Sequence, residues 1–285
     1  MCYTLHSIVP MRRLVEIVLL RGKVVSPETP IVPGNALGLL RGEGVFESFL
    51  VSNGTPPSNL SRHAERLRTS ADLLHLSGEV PNLESAFAEI QPHVMEGDWR
   101  VRFSLYRLDK ENLLPVWTAG HAAPPPQEVD LFLSTLCRDP MNPLAQAKTI
   151  SRAAEQWAAR AAQERGAFDA LLPSTNGELA ECTSANLLFW DGSTLCTPSL
   201  DCGILGGTTR ADLLERCLRV GIPYQEGHFP LDSLKKAEEL FVTNAVIGVI
   251  PVRRVLGLGQ EFPGAGGPFL QTLRGAYLGR KVSPS

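Results

Sequence analysis

The sequence predicts an α+β protein in two domains. Glycine-bounded strand patterns mix with two helical patterns before residue 118 and return as a denser strand group after residue 129. Between them, residues 118–128 read TAGHAAPPPQE. Consecutive prolines fix φ and remove backbone donors, so this stretch reads as an extended linker. With 285 residues, the chain is long enough for two modest cores. The expected organisation is an N-terminal extension at 1–14, a small α/β domain at 15–117, the linker at 118–128 and a larger domain at 129–285.

Each element has its own signal. VEIVLL at 15–20 followed by Arg21-Gly22 reads as a strand and turn, and GEGVFESFLV at 42–51 as a glycine-flanked strand closed by the Asn53-Gly54 turn. Ala64, Leu67, Ala71 and Leu74 recur at helical spacing through 61–76, with Ser61 as the expected N-cap. Residues 82–95 read as a second helix, and the alternation in 100–106 as a strand that pairs with 113–117. Beyond the linker come a strand at 129–136, a helix at about 152–165 and a strand-rich stretch from 171. A helix at 209–220, a strand at 239–244 and a C-terminal helix from about 268 complete the order.

Composition narrows the function classes. A net charge of −3 gives no electrostatic case for nucleic acid or an acidic membrane, so an anionic ligand must be held by local cations. The six cysteines (2, 137, 182, 196, 202 and 217) form no CxxC pair and read as reduced thiols, and the six histidines are scattered, so no metal site is expected. No apolar run approaches the roughly eighteen residues of a membrane helix. Residues 1–13 lack the continuous apolar core of a secretion signal, Met11 is an alternative start, and the cytoplasm is the expected location.

The densest run of informative polar residues lies between Leu171 and Arg210. Glu181 falls between strand-like segments, Asn186 opens the apolar run LLFW, and Gly206-Gly207 lead into Thr208-Thr209 at a helix start. Free N–H groups at a helix N-terminus, beside hydroxyl donors, suit a phosphate dianion, and threonine capping is compatible with that use. Lys148 precedes a helix; burial beside a second cation would leave such an amine partly neutral and reactive. Taken singly, Lys148, Glu181 and Arg66 also read as ordinary solvated charges.

In combination GEGVFES, HAERL, Lys148, AECTSANLLF, LGGTTR and VTNAVIGVIPV are more specific. Over about residues 15–255 the chain resembles the class IV aminotransferases, the fold type IV (D-amino-acid aminotransferase-like) pyridoxal phosphate enzymes. The resemblance implies pyridoxal 5'-phosphate in a cleft between the domains. Lys148 would join the cofactor and move protons, Glu181 would pair with its ring nitrogen, and Thr208, Thr209 and Arg66 would hold its phosphate. Asn244 and Ala245 would supply donors near phosphate and substrate. A small anionic amine or amino-acid substrate and a homodimer are implied too, with a loop of one subunit closing the other's site.

Arg107, ending RVRFSLYR, is the candidate clamp for a substrate carboxylate, with Arg100, Arg102 and Lys110 as competitors. Within the family, Asn244-Ala245, Cys182 after Glu181, and Ala153 where branched-chain enzymes carry tyrosine resemble the 4-amino-4-deoxychorismate lyases. That branch implies release of pyruvate and 4-aminobenzoate in folate biosynthesis. A class IV aminotransferase acting on branched-chain or other amino acids is the alternative. Two departures concern the substrate side: Gly42-Glu43-Gly44 replaces the usual Gly-Asp-Gly, and Leu108-Asp109-Lys110-Glu111 replaces a glycine-rich segment after Arg107. D-amino-acid aminotransferases rank third, because no histidine falls between Val94 and Gly120. A scaffold without chemistry is a further alternative, opposed by the presence of Lys148, Glu181 and Thr209 together.

Overall fold

The computed structural model describes residues 15–278, so the expected extension at 1–14 and the question of Met11 lie outside the described residues. The first half of the chain forms β1 (Ile17–Leu20), β2 (Lys23–Val25), α1 (Leu37–Leu40), β3 (Gly44–Ser52), α2 (Leu60–Leu73), α3 (Leu83–Ile90), β4 (Asp98–Arg107) and β5 (Leu113–His121). Its five strands make one antiparallel sheet in the order β2-β1-β5-β4-β3. Alternation in β4 decides what each face does. Trp99, Val101, Phe103 and Leu105 join a core that includes Leu67 and Ala71 of α2 and Leu83 and Phe87 of α3. Arg100 and Arg102, two residues apart, take the opposite face. Burying each large apolar side chain of this core contributes roughly 1.5–3 kcal/mol.

Three expectations shift here. The N-cap of α2 is Asn59 and not Ser61, and its side chain caps nothing; Nδ2 instead donates to the Thr208 carbonyl at 3.3 Å. The second helix ends at Ile90 and continues only as the one-turn Gln91–His93, where Pro92 lacks the donor a longer helix needs. Strand β5 runs on to His121, because Thr118 to His121 pair with Arg102 to Trp99. The stretch without helix or strand is therefore 122–128, starting just ahead of the prolines.

The second half forms β6 (Val129–Leu133), α4 (Ala153–Gln163), β7 (Asp169–Pro173), β8 (Leu179–Cys182), β9 (Asn186–Trp190), β10 (Leu195–Pro198), α5 (Thr208–Val220), β11 (Tyr224–Gly227), β12 (Glu239–Asn244), β13 (Gly248–Leu256), β14 (Gln260–Glu261) and α6 (Pro268–Tyr277). The sheet order is β11-β10-β9-β12-β13-β6-β7-β8, and β8 also pairs with β9. Strands β9, β12, β13, β6, β7 and β8 thus close on themselves around a core that includes Leu131, Leu171, Leu187, Val242 and Val252. Helices α5 and α6 pack together and bury Leu213, Leu214, Leu270 and Leu273 against Leu188 and Phe241. The architecture is the α+β, two-domain one expected. The segment carrying Lys148 joins the halves: Phe46 N–H donates to the Lys148 carbonyl at 3.0 Å, and Ile150 N–H donates to Gly44 at 3.0 Å. Among the described residues no helix is long and apolar enough to cross a membrane, and Cys137, Cys182, Cys196, Cys202 and Cys217 are free thiols.

Candidate active site

Register builds the floor of a cavity of about 350 Å³. Glu181 of β8 pairs with Asn186 of β9, and Asn186 pairs with Thr243 of β12, so three polar side chains form a row across adjacent strands. Asn186 Nδ2 lies 3.3 Å from Glu181 Oε2 and 2.9 Å from the Leu205 carbonyl, while Leu205 N–H donates to Glu181 at 3.1 Å. Arg138 Nε stands 3.2 Å from the other Glu181 oxygen. Burial pushes the Glu181 carboxyl up to about 7, against the pull of Arg138, the Leu205 N–H and Lys148. The Thr243 hydroxyl is buried with no hydrogen-bond partner and lines the cavity.

Helix α5 starts beside this row. Gly207 is its N-cap, with no side chain spent on capping, so the N–H groups of its first turn remain for a ligand. A Cβ on Gly207 would run into the Asn186 side chain, which explains glycine there. Thr208 and Thr209 are buried and line the cavity.

Beneath the cradle lies a charged cluster. Glu47, fully buried, accepts from Arg66 Nε at 2.7 Å, Arg66 Nη2 at 2.6 Å and His63 Nδ1 at 2.6 Å. Arg66 Nη1 also donates to the Gly206 carbonyl at 3.0 Å. Burial opposes the charge on Glu47, yet Arg66 and His63 outweigh it and hold the carboxyl at about 2. Burial lowers His63, with Glu47 opposing, which favours the neutral ring. Nδ1 then carries the proton, leaving Nε2 to accept from the Thr208 hydroxyl at 3.1 Å. One carboxylate therefore aims both the arginine and, through His63, the threonine of the cradle.

Lys148 is held by its backbone, with its N–H donating to Ser70 Oγ at 3.0 Å. Its Nζ lies 4.8 Å from the centre of the Phe46 ring. Burial lowers its pKa, the Arg66 charge adds to that, and the amine sits at about 7. An amine half neutral at physiological pH is what carbonyl capture requires.

The cavity also takes in Arg66, Asn244 and Ala245. The Asn244 side chain is committed locally: Nδ2 donates to Ser184 at 3.0 Å, and Oδ1 accepts from Val246 at 2.9 Å and Ile247 at 3.0 Å. Arg107 stays out. It has the odd parity of β4's core face, and Nη1 pairs with Glu43 at 2.9 Å while Nε donates to the Asp109 carbonyl at 3.1 Å. Glu43, the departure noted in Gly-Glu-Gly, is the residue that claims it. The cleft face of β4 instead presents Arg100 and Arg102, two of the competitors; Lys110 does not line the cavity. Arg102 stacks 3.6 Å from the Phe46 ring centre and donates to Ser104 Oγ at 2.9 Å. Burial pulls it below the ordinary arginine value, so an anion entering the cleft meets a poorly hydrated cation. Arg138, Arg152, Glu47, His63 and Thr243 were not singled out from the sequence. Strand parity could have found Glu47, which shares the core face of β3 with Val45, Phe49 and Val51 and so needs a buried cation.

These residues fit pyridoxal phosphate: an uncapped helix start for its phosphate, a buried carboxylate for its ring nitrogen, a partly neutral lysine, and a buried hydroxyl lacking a partner. Fold and site together define a class of enzyme that works on amines through a phosphate-bearing carbonyl cofactor. Residues 44–255 match the profile described as amino-transferase class IV, and the chain belongs to that family of pyridoxal phosphate enzymes. It is 24% identical to aminodeoxychorismate lyase of Bacillus subtilis over 233 residues, covering 76% of this chain and 79% of that one. It is 27% identical to D-alanine aminotransferase of Bacillus licheniformis over 263 residues, covering 87% and 92%. The solved branched-chain amino acid aminotransferase of Escherichia coli superposes with a TM-score of 0.82 at 21% identity over 94% of this chain and 95% of that one, a likeness of fold.

Proposed function

We propose that the protein is a pyridoxal phosphate-dependent 4-amino-4-deoxychorismate lyase, releasing pyruvate and 4-aminobenzoate. The observation that carries this reading is the cationic wall of the cleft. Arg100, Arg102 and Arg152 line it together with Lys148, whereas a pocket for a branched aliphatic side chain would be apolar. Aminodeoxychorismate carries two carboxylates, and guanidinium groups in fixed positions bind such groups directionally. The similarity to the Bacillus subtilis lyase supports the same reading.

In this reading the first-turn N–H groups of α5, Thr208, Thr209 and Arg66 would hold the phosphate, Glu181 would face the ring nitrogen, and Lys148 would join the carbonyl. Once bound, pyridoxal phosphate supplies an electron sink for the bond broken beside the substrate amine. The chain's own residues do the rest. Arg100 and Arg102 orient the substrate carboxylates, so that the amine-bearing carbon faces Lys148. Lys148, with its pKa brought near 7, takes the proton from that carbon and delivers it to the departing enolpyruvyl group. Glu181, as its anion, would stabilise positive charge at the ring nitrogen. Ring aromatisation drives loss of the enolpyruvyl group as pyruvate, so no oxo acid is consumed.

The reading includes a homodimer. Leu144 lines the cleft and is 39% exposed, and nearby Met141 is 87% exposed, apolar surface at the mouth that a second copy would cover. An aminotransferase is the second reading, favoured by the similarity to D-alanine aminotransferase. Supplying 4-amino-4-deoxychorismate to the purified, cofactor-loaded protein decides between them. Pyruvate and 4-aminobenzoate appear together if the lyase reading holds. Amino transfer to 2-oxoglutarate without pyruvate overturns it.

A further inference from the structure

Outside the cleft, three lone-pair donors converge on one point. Glu178 lies in the turn before β8, Cys202 in the one-turn helix Leu200–Cys202 after β10, and His228 just after β11. Each offers one ligand atom, and these atoms all lie within 4.8 Å of one another. His228 Nδ1 is 3.1 Å from both Glu178 oxygens and 3.7 Å from Cys202 Sγ. Its Nε2 faces Asp201 Oδ2 at 3.1 Å. Nδ1, the Glu178 carboxylate and Cys202 Sγ, which also lies 3.7 Å from the Gly227 carbonyl, present lone pairs that a cation at the centre would take in place of the Nδ1 and thiol protons.

We infer that Glu178, Cys202 and His228 form a binding site for a divalent cation of the zinc class. Tetrahedral zinc with metal–sulfur bonds of about 2.3 Å and metal–nitrogen or –oxygen bonds of about 2.0–2.1 Å sets its ligand atoms roughly 3.3–3.6 Å apart. The observed 3.1 Å and 3.7 Å straddle that spacing. One thiolate, one imidazole and one carboxylate form a donor set for zinc and not for magnesium or calcium, which take oxygen. Asp201 completes the arrangement: it accepts the Nε2 proton and so leaves the Nδ1 lone pair for the metal, as carboxylates behind metal-bound histidines do. Binding releases the Cys202 thiol proton to solvent, and one thiolate with one carboxylate neutralises the ion. Cys202 is buried while the His228 side chain is 49% exposed, so an ion enters from the solvent side and keeps water as its fourth ligand.

The ion would act as a clip. It ties the turn after β10 to the ends of β8 and β11, segments far apart in sequence. The next residue, Gly203, accepts from Arg138 Nε at 2.9 Å, and Arg138 reaches Glu181, so the clip steadies the rear of the cofactor site. The inference does not depend on which reaction the cleft performs.

The test is titration of chelator-stripped, cofactor-loaded protein with cobalt(II) and then zinc. One equivalent of cobalt should bind with the charge-transfer absorbance of thiolate ligation, zinc should displace it, and the melting temperature should rise. His228→Gln, on the exposed side, should abolish that absorbance and weaken zinc binding at least 100-fold. Asp201→Asn should weaken it roughly 10- to 100-fold. Cys137→Ser, at an exposed cysteine outside the cluster, should change nothing. If Cys202→Ser does not fold, His228→Gln and Glu178→Gln decide. Absence of the thiolate band in the wild type, or equal affinity in wild type and His228→Gln, overturns the inference and leaves a proton-held ion triad or an adventitious ion only.

Discussion

Glu47→Gln removes the anion that organises the charges under the phosphate cradle. The carboxylate is fully buried, accepts three charge-assisted hydrogen bonds of 2.6–2.7 Å and is the counter-ion of Arg66. Glutamine keeps the shape but turns an acceptor into a donor facing N–H groups, and strands the guanidinium charge. Losing one partner of a buried ion pair costs about 3–5 kcal/mol. Titration reaches a similar size independently: the carboxyl is depressed from its ordinary 4.5 to about 2. At about 1.4 kcal/mol per pH unit, that corresponds to about 3 kcal/mol. The folded pKa lies below the unfolded one, so this stability is present above about pH 5 and is lost as pH falls from about 4.5 towards 2. Urea denaturation of the cofactor-free protein, followed by tryptophan fluorescence, should show Glu47→Gln about 3 kcal/mol less stable at pH 7, with the gap narrowing on acidification. A deficit below about 1 kcal/mol, the worth of an ordinary hydrogen bond, would refute the reasoning. So would a gap that widens as pH falls.

Lys148→Ala should abolish both the visible absorbance of lysine-bound cofactor and turnover; retained colour would remove the lysine from its assigned place. In the wild type, capture of added pyridoxal phosphate should accelerate as pH rises through about 7 and then level off. An onset near pH 10 would show an ordinary, hydrated lysine. Glu181→Gln should lower kcat by on the order of 10²-fold with cofactor still bound, as loss of a fixed electrostatic partner does; an unchanged kcat counts against its pairing with the ring nitrogen. Arg102→Ala should cost about 2 kcal/mol or more of substrate binding, roughly 30-fold in KM, while Arg107→Ala leaves KM alone. The reverse pattern would restore Arg107 as the clamp.

Much of this was legible in the chain because the relevant signals are local. Gly206-Gly207-Thr208-Thr209 announces a helix start with free donors, since cap geometry depends on a few neighbouring residues. The sequence patterns left Glu181 between strand-like segments and put Asn186 at the head of an apolar run; the structure places Glu181 in β8, paired directly with Asn186 of β9. Arg107, the candidate clamp, lies outside the cavity lining because it shares the parity of Trp99, Val101, Phe103 and Leu105. Glu43, at the other end of a 2.9 Å ion pair, removes it from the substrate side. Nothing local could have shown that His63 bonds a threonine 145 residues away, since that contact exists only when α2 docks on α5.

The sequence by itself determined the α+β architecture and the cofactor, and offered candidates to hold it, because hydrophobic period and helix-start chemistry are written within a few residues of one another. Only the tertiary structure decided which arginines face the cleft, how Glu47 orders Arg66 and Thr208, and that Glu178, Cys202 and His228 meet where scattered histidines and cysteines gave no expectation of a metal. Periodicity tells a side chain which face of its own element to take. Which side chains lie across from it is set by sheet closure and helix docking, where a register moved by one residue exchanges one face for the other.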